Sequence, residues 1–131
     1  MIVIETSAMV NALVGDPANP QLLATLADEE LHAPALLDFE VASALRGHVL
    51  AGKLDSTRLD EAIDDFATLY IDRHLMTDVL GYMLELRDNF TVYDAAYLVL
   101  ADALQVPLLT ADEKLAGARR LGIDVRMVEP R

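Results

Sequence analysis

The chain has 131 residues, 53% of them hydrophobic, no cysteine, and 22 acidic against 10 basic residues for a formal charge of −12. That size gives one domain, residues 1–131, with a real core, and the absent cysteines exclude disulfides and thiolate metal sites and fit a reducing cytoplasm. No apolar run approaches the roughly 20 residues needed to span a bilayer, no basic leader marks secretion, and the net charge opposes a polyanion unless a local basic patch or bound cations overcome it.

Met1-Ile-Val-Ile reads as a strand buried on both faces, hence part of a parallel sheet covered by helices, with Glu5 at its carboxyl end. In open α/β sheets that edge collects ligands and catalytic groups. A short apolar helix from Ser7 to Val14 ends at Gly15-Asp16-Pro17, and Asn19-Pro20 opens a second over Gln21 to Leu26. Leu31-His32-Ala33 is a brief second strand. Pro34 then opens a helix to about Leu50, apolar on most of its circumference and therefore buried, with Glu40 in its middle.

Ser56 to Thr68 forms an amphipathic helix with Ser56 as its cap, Leu69-Tyr70-Ile71 a third strand, and His74 to Arg87 another helix. Thr91 to about Gln105 is helical. Val106 to Leu109 is a fourth strand, Glu113 to Leu121 a last helix stopped by Gly122, and Val125 to Val128 a fifth strand. Alternation of strands and helices gives a doubly wound α/β domain, a central parallel sheet of four to five strands with helices on both faces.

Four of the acids stand out by position. Glu5 and Asp112 follow strands at the same sheet edge, Asp94 lies in the first turn of an apolar helix, and Glu40 sits on a core-facing stripe. Each has a plainer role: Thr91-Val-Tyr-Asp94 and Thr110-Ala-Asp-Glu113 resemble capping boxes, Glu5 fits an ordinary strand end, and Glu40 can pair with Arg46 or Arg87. Four carboxylates gathered together repel one another unless a divalent cation is present. Oxygen ligands without His or Cys select Mg²⁺ or Mn²⁺, and such ions activate water in phosphodiester hydrolysis. Thr6, Ser7 and Thr91 supply hydroxyls to orient ligands, or serve as caps. His32, His48 and His74 have no motif context and read as structural or exposed.

Taken in order, Met1-Ile-Val-Ile-Glu-Thr-Ser-Ala, Pro34-Ala-Leu-Leu-Asp-Phe-Glu-Val-Ala-Ser-Ala-Leu-Arg46, Thr91-Val-Tyr-Asp-Ala-Ala-Tyr97 and Leu109-Thr-Ala-Asp112 resemble PIN-domain ribonucleases, specifically VapC-type toxins of toxin–antitoxin pairs. The resemblance places the family's catalytic and metal-binding acidic quartet on Glu5, Glu40, Asp94 and Asp112. It implies a Mg²⁺- or Mn²⁺-dependent endoribonuclease acting on RNA such as transfer RNA, a cytoplasmic homodimer, a VapB-type antitoxin across the active site, and DNA contact only through that antitoxin. Arg46 matches a basic position that contacts RNA or antitoxin.

The family usually has Asp where this chain has Glu5. An added methylene displaces the carboxylate by about 1 Å, and misplacement on that scale costs on the order of a hundredfold in rate. An alternative is therefore a catalytically attenuated PIN domain that mainly binds an antitoxin. A receiver-like signalling domain would need an acidic pair after the first strand and a Lys near the last, which this chain lacks. Arg46, Lys53 and Lys114 would guide an RNA backbone if they rim the acidic pocket.

Overall fold

The computed structural model describes residues 1–129; Pro130 and Arg131, the end of the expected 1–131 domain, lie outside the described residues. Strands β1 (Ile2–Ile4), β2 (Leu31–Pro34), β3 (Ile71–His74), β4 (Leu108–Thr110) and β5 (Val125–Met127) form one sheet in the order β3-β2-β1-β4-β5. Every pairing is parallel. The strand order reverses at β1, so the crevice beside its carboxyl end is a topological switch point. β1 is buried along its whole length, as its unbroken apolar run requires.

Helices α1 (Thr6–Val14), α2 (Pro20–Asp28), α3 (Leu37–Leu50), α4 (Ser56–Thr68), α5 (Leu80–Glu85) and α6 (Val92–Leu104) cover both faces, with a 3₁₀ helix over Glu113–Leu121 beside β5. α6 buries every residue from Ala95 to Ala101, with Tyr97, Leu98, Leu100 and Ala101 in the main core beside β1, β2 and β4. Full burial of a Leu contributes about 1.5–3 kcal/mol, so α6 is the main brace of the sheet. Met83 of α5 meets Ala95, Ala96 and Val99 in a second apolar cluster. None of the described helices is long and apolar enough to cross a membrane.

Several boundaries differ from the sequence reading. Pro34 ends β2 instead of opening α3, because the chain stays extended long enough for the Ala35 N–H to reach the His74 carbonyl at 2.9 Å. α3 therefore starts at Leu37, which brings Glu40 into its first turn, not its middle. Nor is α3 buried around its circumference: Leu37, Val41 and Leu45 face inward, while Phe39 and Leu50 are exposed. The cap of α4 is Asp55, whose carboxylate accepts from the Arg58 N–H at 2.8 Å, and not Ser56. The third strand runs Ile71–His74, so His74 ends a strand where a helix start was expected. The segment that follows is helical only in two short pieces, Thr77–Val79 and Leu80–Glu85.

Candidate active site

Glu5 leaves β1 at the N-terminus of α1 and is 9% exposed. Its Oε1 accepts from the Ser7 hydroxyl and from the Thr110 hydroxyl, the latter at 2.6 Å. Those hydroxyls are themselves fixed by backbone: Ser7 Oγ accepts from the Ala111 N–H at 2.8 Å, and Thr110 Oγ1 from the Asp112 N–H at 3.0 Å. The carboxyl ends of β1 and β4 are thus cross-linked through the Glu5 side chain.

Thr6 serves the neighbouring acid. Its hydroxyl donates to Glu40 Oε1 at 2.8 Å, and the Tyr97 hydroxyl donates to the same oxygen at 2.7 Å. The two hydroxyls are also 2.8 Å apart. Two protons cannot fill three such contacts, so one hydroxyl proton is shared between alternative acceptors. Burial, above all, raises the Tyr97 pKa, and the adjoining Glu40 and Glu5 charges add to it, so the phenol stays protonated. Glu40 is half-buried and draws its partners from α1 and α6, not from a cation.

Asp94 and Asp112 are joined through Lys114. The Lys114 ammonium is 3.0 Å from Asp94 Oδ2 and 3.8 Å from Asp112 Oδ2. Asp94 Oδ2 is sealed from solvent, and its charge is compensated by the Lys114 ammonium at 3.0 Å. The contact with Asp94, reinforced by the charges of Asp94, Asp112 and Glu5, holds the Lys114 pKa above its ordinary value. The capping-box readings are half right. Thr91 does cap α6, accepting from the Asp94 N–H at 3.1 Å, but the Asp94 carboxylate turns to Lys114. Asp112 is itself the cap of the last helix, accepting from the Lys114 N–H at 3.1 Å.

All four acids therefore stand at one end of the sheet, Glu5 and Asp112 beyond strand ends, Glu40 and Asp94 in first helical turns. No three of these described carboxylates bring ligand atoms within 4.8 Å of one another. Among the described residues, only His32, Asp72 and His74 bring three potential ligand atoms within 4.8 Å of one another. A divalent cation suits the acids: the donors are all oxygen, Asp94 Oδ2 is buried, and a monovalent cation, the Lys114 ammonium, already sits between two of them.

Arg46 stands apart from the acids. It is exposed, has no ion-pair partner among the described residues, and lines a 450 Å³ apolar groove between α3 and α4 with Val41, Leu45, Leu59, Ile63 and Phe66. Of the three basic residues considered for a rim, Lys114 reaches the acids directly. Sequence reasoning missed Tyr97, although its spacing of three from Asp94 puts both on neighbouring faces of α6.

The PIN domain family profile matches residues 2–121. Ribonuclease VapC1 of Mycobacterium tuberculosis is 39% identical over 128 residues, 96% of either chain. VapC ribonuclease Mb0985 of Mycobacterium bovis is 36% identical over 116 residues, 88% of this chain and 89% of the relative. Among solved structures, VapBC2 of Rickettsia felis, bound to a DNA fragment from its promoter, matches with a TM-score of 0.69 at 14% identity, covering 98% of this chain and 100% of the other. At that identity the likeness shows the fold alone.

Proposed function

The chain belongs to the PIN-domain family, among the VapC ribonucleases, and from that premise we propose that it is the endoribonuclease toxin of a toxin–antitoxin pair, cutting RNA at the acidic edge of its sheet. The observation that carries the proposal is the buried Oδ2 of Asp94 facing the Lys114 cation, which Asp94 shares with Asp112. Glu5, Glu40, Asp94 and Asp112 are the catalytic acids and would hold Mg²⁺ or Mn²⁺. Such an ion, when bound, offsets phosphate charge and lowers the pKa of water.

The chain's own residues prepare that site. Ser7 and Thr110 fix the Glu5 carboxylate, and Thr6 with Tyr97 fixes that of Glu40, so neither reorients as substrate arrives. Lys114 can release the acids to a stronger cation and turn its ammonium to the RNA phosphate. Thr91 acts on Asp94 only by capping α6. Nothing at Glu5 favours the attenuated, binding-only alternative, because two anchored hydroxyls receive the longer side chain.

A VapB-type antitoxin is the proposed partner, with DNA reached only through it, since −12 is a poor charge for direct binding. The domain comprises residues 1–131, works in the cytoplasm as a homodimer, and takes RNA such as transfer RNA. Arg46, which lines the apolar groove between α3 and α4, is the proposed antitoxin contact. Incubating antitoxin-free protein with total RNA and Mg²⁺ or Mn²⁺ tests the reading. Discrete fragments that vanish with EDTA are expected; intact RNA under both metals would overturn it.

A further inference from the structure

β2 and β3 pair with His32 opposite Asp72 and Pro34 opposite His74, which sets His32, Asp72 and His74 on one face of the outer sheet. His32 Nδ1 lies 2.9 Å from His74 Nε2 and 3.7 Å from Asp72 Oδ2. His74 Nε2 is 3.9 Å from the same Asp72 oxygen. Behind them, His32 Nε2 is 3.1 Å from Glu30 Oε1. An ionised carboxylate only accepts, so that nitrogen carries the proton and Nδ1 turns its lone pair toward His74 and Asp72. A carboxylate behind an imidazole is the usual support of a metal-bound histidine.

We propose that His32 Nδ1, His74 Nε2 and Asp72 Oδ2 bind a first-row transition ion such as Zn²⁺, leaving a fourth position to water. Ligands about 2.0–2.2 Å from a tetrahedral ion stand roughly 3.3–3.6 Å from one another, and the three separations here bracket that spacing. Two imidazoles and a carboxylate prefer Zn²⁺, Ni²⁺ or Co²⁺, whereas the all-oxygen acids prefer Mg²⁺. His32 is buried and preset, while His74 and Asp72 are partly exposed and open a path for the ion. The ion would clamp the outermost strand β3 to β2. This site does not depend on RNA cleavage.

The test is a titration of the intact chain with Co²⁺ in excess Mg²⁺, read by visible d–d absorption, with Zn²⁺ followed by melting temperature. One Co²⁺ per chain and a Zn²⁺-dependent rise in Tm are expected. His74→Gln and Asp72→Asn should each weaken binding at least about tenfold, and Glu30→Gln about 10- to 100-fold, with far-ultraviolet circular dichroism unchanged. Absence of Co²⁺ binding under Mg²⁺ would mean that a proton alone joins the two rings and would overturn the proposal. So would Co²⁺ binding that survives His74→Gln and Asp72→Asn but disappears in Asp94→Asn.

Discussion

Two ends of the same sheet gather titratable side chains in different ways. Beyond β1 and β4 the groups are carboxylates carried by loops and first helical turns, each bound to hydroxyls or to one ammonium. Across β2 and β3 they are imidazoles and a carboxylate held by strand register, already within ligand distance of one another. Charge explains the difference. Carboxylates repel one another and close up only around a cation, while the ring nitrogens of His32 and His74 meet in a hydrogen bond.

The largest effect should come from removing a charge at the first end. Asp94→Asn keeps the shape and the Thr91 cap but deletes the buried charge, and should lower RNA cleavage by at least about a hundredfold, measured as initial rate on a defined RNA. The same RNA assay on His74→Gln should stay within about threefold of the parent, since that side chain touches none of the four acids. Comparable losses in both would merge the two ends into one functional unit.

How legible each end was follows from what builds it. Glu5 and Asp112 could be placed because a strand end fixes where the next residue goes. Glu40 was noticed for its apolar neighbours, yet its position was misjudged, since Pro34 and Ala35 remain extended beside His74. Asp94 was singled out, but whether its carboxylate capped the helix or turned elsewhere could not be read, because that depends on Lys114 from a distant element. The His32–His74 pair was invisible in the sequence: it needs the β2–β3 register, and a shift of one residue turns a side chain to the opposite face. Placing the third strand at Leu69 to Ile71 removed His74 from it altogether.

Tyr97→Phe sharpens the comparison by taking one donor from Glu40 while Thr6 remains. A hydrogen bond to a charged group is worth about 1.5–3 kcal/mol, so a cleavage loss of about tenfold or more is expected. Because the raised Tyr97 pKa keeps the phenol protonated, wild-type cleavage should show no alkaline loss near the usual tyrosine range from this residue. Lys114→Met should act in the other direction on metal binding. Without the competing ammonium, Mg²⁺ should bind up to about fivefold more tightly, read as a larger Tm rise per increment of Mg²⁺. The raised pKa means that folding favours the charged lysine. Its stabilising contribution is complete below the unfolded-state pKa and is lost as pH rises through the folded value.

The smallest effect concerns the link between the two ends. Arg73 of β3 donates from Nε to both oxygens of Asp38, at 2.9 and 3.0 Å, and its Nη2 lies 2.8 Å from Asp38 Oδ1. Asp38 occupies the same first turn of α3 as Glu40, so this ion pair ties the histidine-bearing edge to the helix that carries Glu40. Both partners are partly exposed, and such pairs contribute at most about 1 kcal/mol; the guanidinium's position 5.6 Å from the Phe66 ring adds a fraction of that. Arg73→Ala should therefore lower the unfolding free energy in urea by about 1 kcal/mol and leave cleavage within about twofold. A larger fall in cleavage at unchanged stability would show that the first turn of α3 needs the β3 edge to aim Glu40, and the two ends would then have to be treated as coupled.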